Sequence, residues 1–156
     1  MTDSKPASRL SEQLKSEHHS LRSQARHLRS CFDPDRVSSD SIQEQVAETR
    51  KAIVALTEQL ISHFRLEEKE GLVDSIVEAR PELARPARQL LDDHREIEAR
   101  FLAIQSRLEE STIESVEGLK NQWREVILAL TALLAHEERE TGLIMDCFYD
   151  ETGGRG

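Results

Sequence analysis

Leu60-Ile61-Ser62-His63-Phe64-Arg65-Leu66-Glu67-Glu68 is the stretch on which the reading of this chain turns. At 3.6 residues per turn it continues an apolar stripe through Ile53, Leu56 and Leu60, and the next two places on that stripe are His63 and Glu67. A polar residue on a core-facing stripe has been put into the interior. The device recurs on either side. Towards the N-terminus the stripe reads Leu10, Leu14, His18, Leu21, Ala25, Leu28. Towards the C-terminus it reads Leu90, His94, Ile97 with Glu98, Phe101, Ile104, Leu108, and then Val126, Ala129, Leu133, His136, Glu140, Leu143. Four segments thus each carry an inward histidine, and three of them add a glutamate one turn later.

The segments are helices. Leu, Ala, Glu, Arg and Gln dominate, strand-like alternation is scarce, and the fold class is all-α. The punctuation predicts a first helix from about Ser8 to Cys31, stopped by Asp33-Pro34-Asp35. A second starts near Ser41 and passes His63, reaching as far as Ala79 before Pro81, with Gly71 an irregularity on the way. A third opens in the Pro81 to Pro86 stretch and runs to about Leu108; a fourth follows Ser111-Thr112 and ends before Gly153-Gly154-Arg155-Gly156. Short connections make successive helices antiparallel neighbours, so the expected architecture is an up-down-up-down four-helix bundle over 8–150. The ends, 1–7 and 151–156, are expected to be disordered or flexible.

At 156 residues the chain is one domain long, enough for a core without disulfides. Acidic residues outnumber basic ones by 30 to 21 and the basic ones are scattered, which disfavours nucleic acid. No apolar run suits a signal peptide or a membrane span, so a cytoplasmic protein without membrane contact is expected. Cys31 and Cys147 have no neighbour at metal-binding spacing, and the expected layout holds them too far apart for an intrachain disulfide.

Residues i and i+4 lie one above the other on a helix, so an imidazole and a carboxylate at that spacing can reach one ion or two adjacent ions. His18, His63, Glu67, His94, Glu98, His136 and Glu140 form the candidate metal site. Imidazole and carboxylate donors without thiolate favour iron or manganese over a structural zinc tetrahedron. Seven donors exceed one ion's needs and suit two, with bridging carboxylates and a solvent-derived oxo or hydroxo bridge. The alternative is a metal-free His-Glu network, which must bear the cost of burying carboxylates without a cation. His19, His27, Glu68, Glu96 and Glu137 read as solvated or outer groups, and Trp123 as core packing. His136-Glu137 begins like a zinc-protease helix, but Glu140 stands where the second histidine belongs; the His-x-x-x-Glu order also differs from that of ferritin-like carboxylate proteins.

The phrases His63-Phe64-Arg65-Leu66-Glu67-Glu68, Asp93-His94-Arg95-Glu96-Ile97-Glu98 and His136-Glu137-Glu138-Arg139-Glu140, with Glu17-His18, resemble the hemerythrin-like (HHE cation-binding) family over nearly the whole chain. The resemblance implies that Glu67 and Glu140 bridge two irons, that His18 and His63 cap one, and that His94, Glu98 and His136 cap the other. Manganese or zinc are possible substitutes. Glu98 departs from the oxygen-carrying members, which have a histidine there. An anionic donor stabilises the ferric state and disfavours reversible oxygen storage. The function implied is that of a non-haem di-iron protein binding dioxygen or a related small oxidant, peroxide or nitric oxide, for sensing or stress response. A di-iron redox enzyme or an iron buffer is the alternative.

Overall fold

A computed structural model describes residues 4–110 and 112–148. The described residues form five α-helices and no strand: α1 (Ser4–Ser30), α2 (Ile42–Glu70), α3 (Leu72–Ala79), α4 (Ala84–Glu110) and α5 (Val116–Phe148). Short 3₁₀ turns at Pro34–Arg36 and Pro81–Leu83 occupy two of the connections, where proline was expected to interrupt the helices. In the first, the Asp33 carboxylate accepts the Asp35 backbone N–H at 3.0 Å. The expected flexible tail 151–156 lies outside the described residues, as do the first three residues of the N-terminal segment 1–7; the rest of that segment, expected to be disordered, is the first turn of α1, which starts at Ser4 and not near Ser8.

The expected second helix is two helices. Gly71 adopts φ +70°, a left-handed conformation that ends α2, and its N–H bonds back to Glu68 O at 3.2 Å. The chain then restarts as α3, whose Leu72 and Ile76 are buried.

Each of the four long helices buries most of the stripe expected of it; Glu98 and Leu143 are half-buried, and the Leu10 side chain lies outside the described set. Leu14, His18, Leu21, Ala25 and Leu28 are buried on α1, as are Ile53, Leu56, Leu60, His63 and Glu67 on α2. On α4 the buried set includes Leu90, His94, Ile97 and Phe101, and on α5 Val126, Ala129, Leu133, His136 and Glu140. α1 packs against α2 and α5, α4 packs against α2 and α5, and α3 covers parts of α4 and α5. Individual contacts give the relative placement: Arg50 near the start of α2 donates to Leu108 O near the end of α4, and Gln59 of α2 donates to Ser20 of α1. Trp123 is core packing, as expected; its indole N–H donates to Thr49 Oγ1 at 3.2 Å and its ring stacks on Phe32.

Two apolar clusters result. The larger runs from Leu21 and Leu28 through Leu60, Phe101 and Leu133; the smaller gathers Leu14, Leu72, Ile76, Ala87, Leu90 and Ile144. On α1, α4 and α5 the inward histidines lie between the two clusters in sequence, and on α2 His63 and Glu67 follow Leu60 of the larger one, so a polar layer interrupts an otherwise apolar interior. No helix among the described residues is long and apolar enough to cross a membrane.

Candidate metal centre

His18, His63, Glu67, His94, His136 and Glu140 are each no more than 4 % exposed. They form two groups of potential ligands, His18 with His63, Glu67 and Glu140, and His94 with His136, Glu67 and Glu140. Within each group the donor atoms all lie within 4.8 Å of one another. Glu67 and Glu140 belong to both. Glu67 places Oε1 2.6 Å from His63 Nε2 and Oε2 3.0 Å from His94 Nε2, so one carboxylate faces both groups. Glu140 does the same, with Oε1 2.7 Å from His18 Nε2 and Oε2 3.2 Å from His136 Nε2.

The outer nitrogens are held from behind. His63 Nδ1 meets Glu17 Oε2 at 2.5 Å, His136 Nδ1 meets Asp93 Oδ2 at 3.2 Å, His94 Nδ1 meets Glu68 Oε1 at 3.4 Å, and His18 Nδ1 meets Thr141 Oγ1 at 3.4 Å. An acceptor at Nδ1 fixes the N–H there and leaves the Nε2 lone pair for the centre, the arrangement that metal-binding histidines require. Phe64 fixes two rings, stacking on His94 at 4.0 Å between centroids and meeting His136 edge-on.

Hydrogen bonding tests whether these residues suit a cation. His63, His94 and His136 Nε2, Glu67 Oε2, and both carboxylate oxygens of Glu137 and Glu140 are buried and lack an aligned hydrogen bond. Several are nevertheless within 3.2 Å of a neighbouring nitrogen or oxygen. Polar atoms that crowd together without pointing at each other are what two adjacent cations, one per group, would satisfy. The donor set fits a metal.

Without a metal, protons do part of that work. Burial alone would lower the histidine pKa values, but contacts with Glu137, Glu140 and Glu67 push His18 up to about 12. Against the same opposing burial, Glu67 foremost raises His63 to about 9, and Glu140 and Glu67 raise His94 to about 10. Burial pushes the Glu140 carboxyl up, yet Glu67, His136, His18 and His94 together hold it well below the usual carboxylate range.

Two residues sit differently from the sequence reading. Glu98 is in neither group: its carboxylate is paired with both terminal nitrogens of Arg65, at 2.9 and 3.1 Å. Arg65 on the facing helix donates one aligned bond, from Nη2 to Oε2, and keeps Nη1 close to Oε1, which is buried without an aligned hydrogen bond. Glu137, read as solvated or outer, is fully buried, with Oε2 2.9 Å from His18 Nε2 and Oε1 3.8 Å from His63 Nε2. Glu17 and Asp93 carry no signal of their own in the sequence beyond adjacency to His18 and His94. His19, His27 and Glu96 are exposed, as expected.

Two pockets approach the layer. One of 320 Å³ between α2, α3 and α4 is lined by Glu67, His94 and Glu140, with Arg65, Arg95 and Glu98 also on its wall. Another of 520 Å³ between α1 and α5 is lined by His18, Arg22 and Thr141.

Neither the curated proteins nor the solved structures provide a match to this chain. The family model of the hemerythrin HHE cation binding domain matches residues 9–146, almost the whole of the described structure, and the chain belongs to that family.

Proposed function

We propose that this chain is a non-haem di-iron protein that binds dioxygen or a related small oxidant, peroxide or nitric oxide, in sensing or stress response. The observation that carries the reading is the sharing of Glu67 and Glu140 between two buried groups of histidines. Two carboxylates common to two imidazole pairs match the requirement of an ion pair bridged by glutamate. The absence of thiolate from the donor set favours iron over a structural zinc site, with manganese or zinc as substitutes. On this reading His18 and His63 hold one ion, His94 and His136 the other, and the long helices α1, α2, α4 and α5 run up and down as a four-helix bundle. Iron bound there supplies electrons and a coordination position for a small ligand.

The chain's own groups do the rest. Glu17, Asp93, Glu68 and Thr141 keep the rings aimed inward, so the donors are in place before any ligand arrives. Phe64, Leu60, Ile97 and Leu133 surround the layer with apolar surface that restricts water and favours small neutral molecules. The pocket between α2, α3 and α4 provides the approach to His94. Cytoplasmic location is part of the reading: Cys31 and Cys147 are free, which suits a reducing compartment.

The test is to load the protein with ferrous iron under anaerobic conditions and follow the visible spectrum on adding oxygen, peroxide or nitric oxide. An oxidant-dependent spectrum that reverses on removing the ligand supports binding. Catalytic turnover would favour a redox enzyme, and iron lost readily to a weak chelator would favour a buffer. No spectral response to any of the three would refute the proposal.

A further inference from the structure

Among the described residues, Glu137 is the one fully buried carboxylate of the polar layer that neither group of candidate ligands includes. Both of its oxygens lack an aligned hydrogen bond, although Oε2 is 2.9 Å from His18 Nε2 and Oε1 is 3.8 Å from His63 Nε2. No lysine or arginine accompanies it among the described salt bridges. A buried carboxylate with no lysine or arginine partner and no aligned donor is costly, and its oxygens face the two nitrogens assigned to one ion. Resting on the di-metal reading above, we propose that Glu137 is a further ligand of the ion held by His18 and His63, which makes the two metal positions unequal.

The donor count then reverses the order implied by the family resemblance. The resemblance gives the His94 side three terminal ligands, His94, Glu98 and His136, and the His18 side two. In the structure Glu98 is paired with Arg65 and belongs to neither ligand group, leaving His94 and His136, while Glu137 lies beside His18 and His63. The less saturated ion is therefore the one at His94, and the pocket lined by His94, Glu67 and Glu140 approaches that side. Small ligands enter from the groove between α2, α3 and α4. The anionic donor read from the sequence at Glu98 is supplied by Glu137, to the other ion.

The experiment compares the full wild-type chain with Glu137→Gln by ferrous-iron titration against a competing chelator and by Mössbauer spectroscopy of the loaded proteins. Losing a ligand costs at least what losing an outer partner does, about tenfold in affinity. The expected result is two unequal irons in the wild type, with one weakened by about tenfold or more in Glu137→Gln and its signal shifted. The second iron keeps its affinity and signal. Glu137→Asp, which keeps the charge but withdraws the oxygens, serves if the amide variant does not fold; it must shift one iron signal and spare the other. Two irons in the wild type with affinities and spectra unchanged in the variant overturn this inference alone. A wild-type chain that takes up no metal overturns the di-metal reading and the inference with it.

Discussion

Replacing Asp93 by alanine removes the acceptor behind His136 without touching any inward-facing donor. Asp93 is 8 % exposed and receives both His136 Nδ1 at 3.2 Å and Arg139 at 2.7 Å. Burial would raise its pKa, but Arg139 and His136 outweigh it and hold the carboxyl below its usual value, so it is an anion at neutral pH. Its loss frees a ring that is itself wholly buried. Outer partners of this kind contribute about 10- to 100-fold to metal affinity, or about 1.4 to 2.7 kcal/mol. Separately, a buried charge-assisted hydrogen bond contributes about 1.5 to 3 kcal/mol to stability. At about 2 to 4 °C per kcal/mol for a chain of this size, the metal-free variant should melt on the order of 5 °C lower. Glu17→Ala is the companion. Its bond to His63 is the shorter at 2.5 Å, but its side chain is 34 % exposed against 11 % for Asp93, and solvent screening makes its loss the smaller of the two. Chelator competition resolved into two affinities is the assay. Asp93→Ala should weaken chiefly the ion shared by His94 and His136, and Glu17→Ala chiefly the ion at His63. Wild-type affinities in both variants, or equal losses at both positions, would refute the claim that these carboxylates orient particular ligands.

Metal uptake should release protons, because His18, His63 and His94 are raised to about 12, 9 and 10 and are protonated at pH 7 before binding. Affinity should therefore climb from pH 7 to 9, checked by calorimetry in buffers of different ionisation enthalpy; no proton release would contradict it. In the metal-free protein the same raised values stabilise the fold fully below about pH 6.5, and that contribution is lost as pH rises through 9 to 12. Urea midpoints that rise over that alkaline range would show the sign to be wrong. Gly71→Ala should cost about 1 to 2 kcal/mol purely through its φ of +70°, since no atom lies within 4 Å of the added methyl group; an unchanged melting temperature would argue against the helix break. Glu98→Ala should still bind two ions, because Glu98 is engaged with Arg65; loss of one ion in a titration would show that Glu98 leaves that pair to become a ligand.

The sequence made the polar layer legible because helical periodicity is a strong signal where a helix has one buried face. His63 with Glu67 and His136 with Glu140 continue a line of apolar residues, and the structure brings them together. Glu137 does not lie on that line. It stands about 100° around the helix from His136, which reads as a sideways position. However, α5 packs against α1, α2, α3 and α4, so a sideways residue at that level is still inside. Glu98 differs in the opposite direction: it follows Ile97 on the inward stripe and lies beside Arg65 of the facing helix, about which periodicity carries no information. Glu17 and Asp93 depend on the same kind of pairing between helices. Gly71 marked an irregularity in sequence, and its positive φ turns that irregularity into the boundary between α2 and α3.

The central claim is that Glu67 and Glu140 join two metal ions inside one chain. X-ray absorption at the iron edge, on protein loaded with iron and quantified by elemental analysis, tests it directly. Two irons per chain should appear, in nitrogen and oxygen coordination without sulfur, with iron-iron scattering at a separation of about 3.5 Å. One iron per chain, sulfur in the first coordination sphere, or two irons without a short iron-iron vector would contradict it.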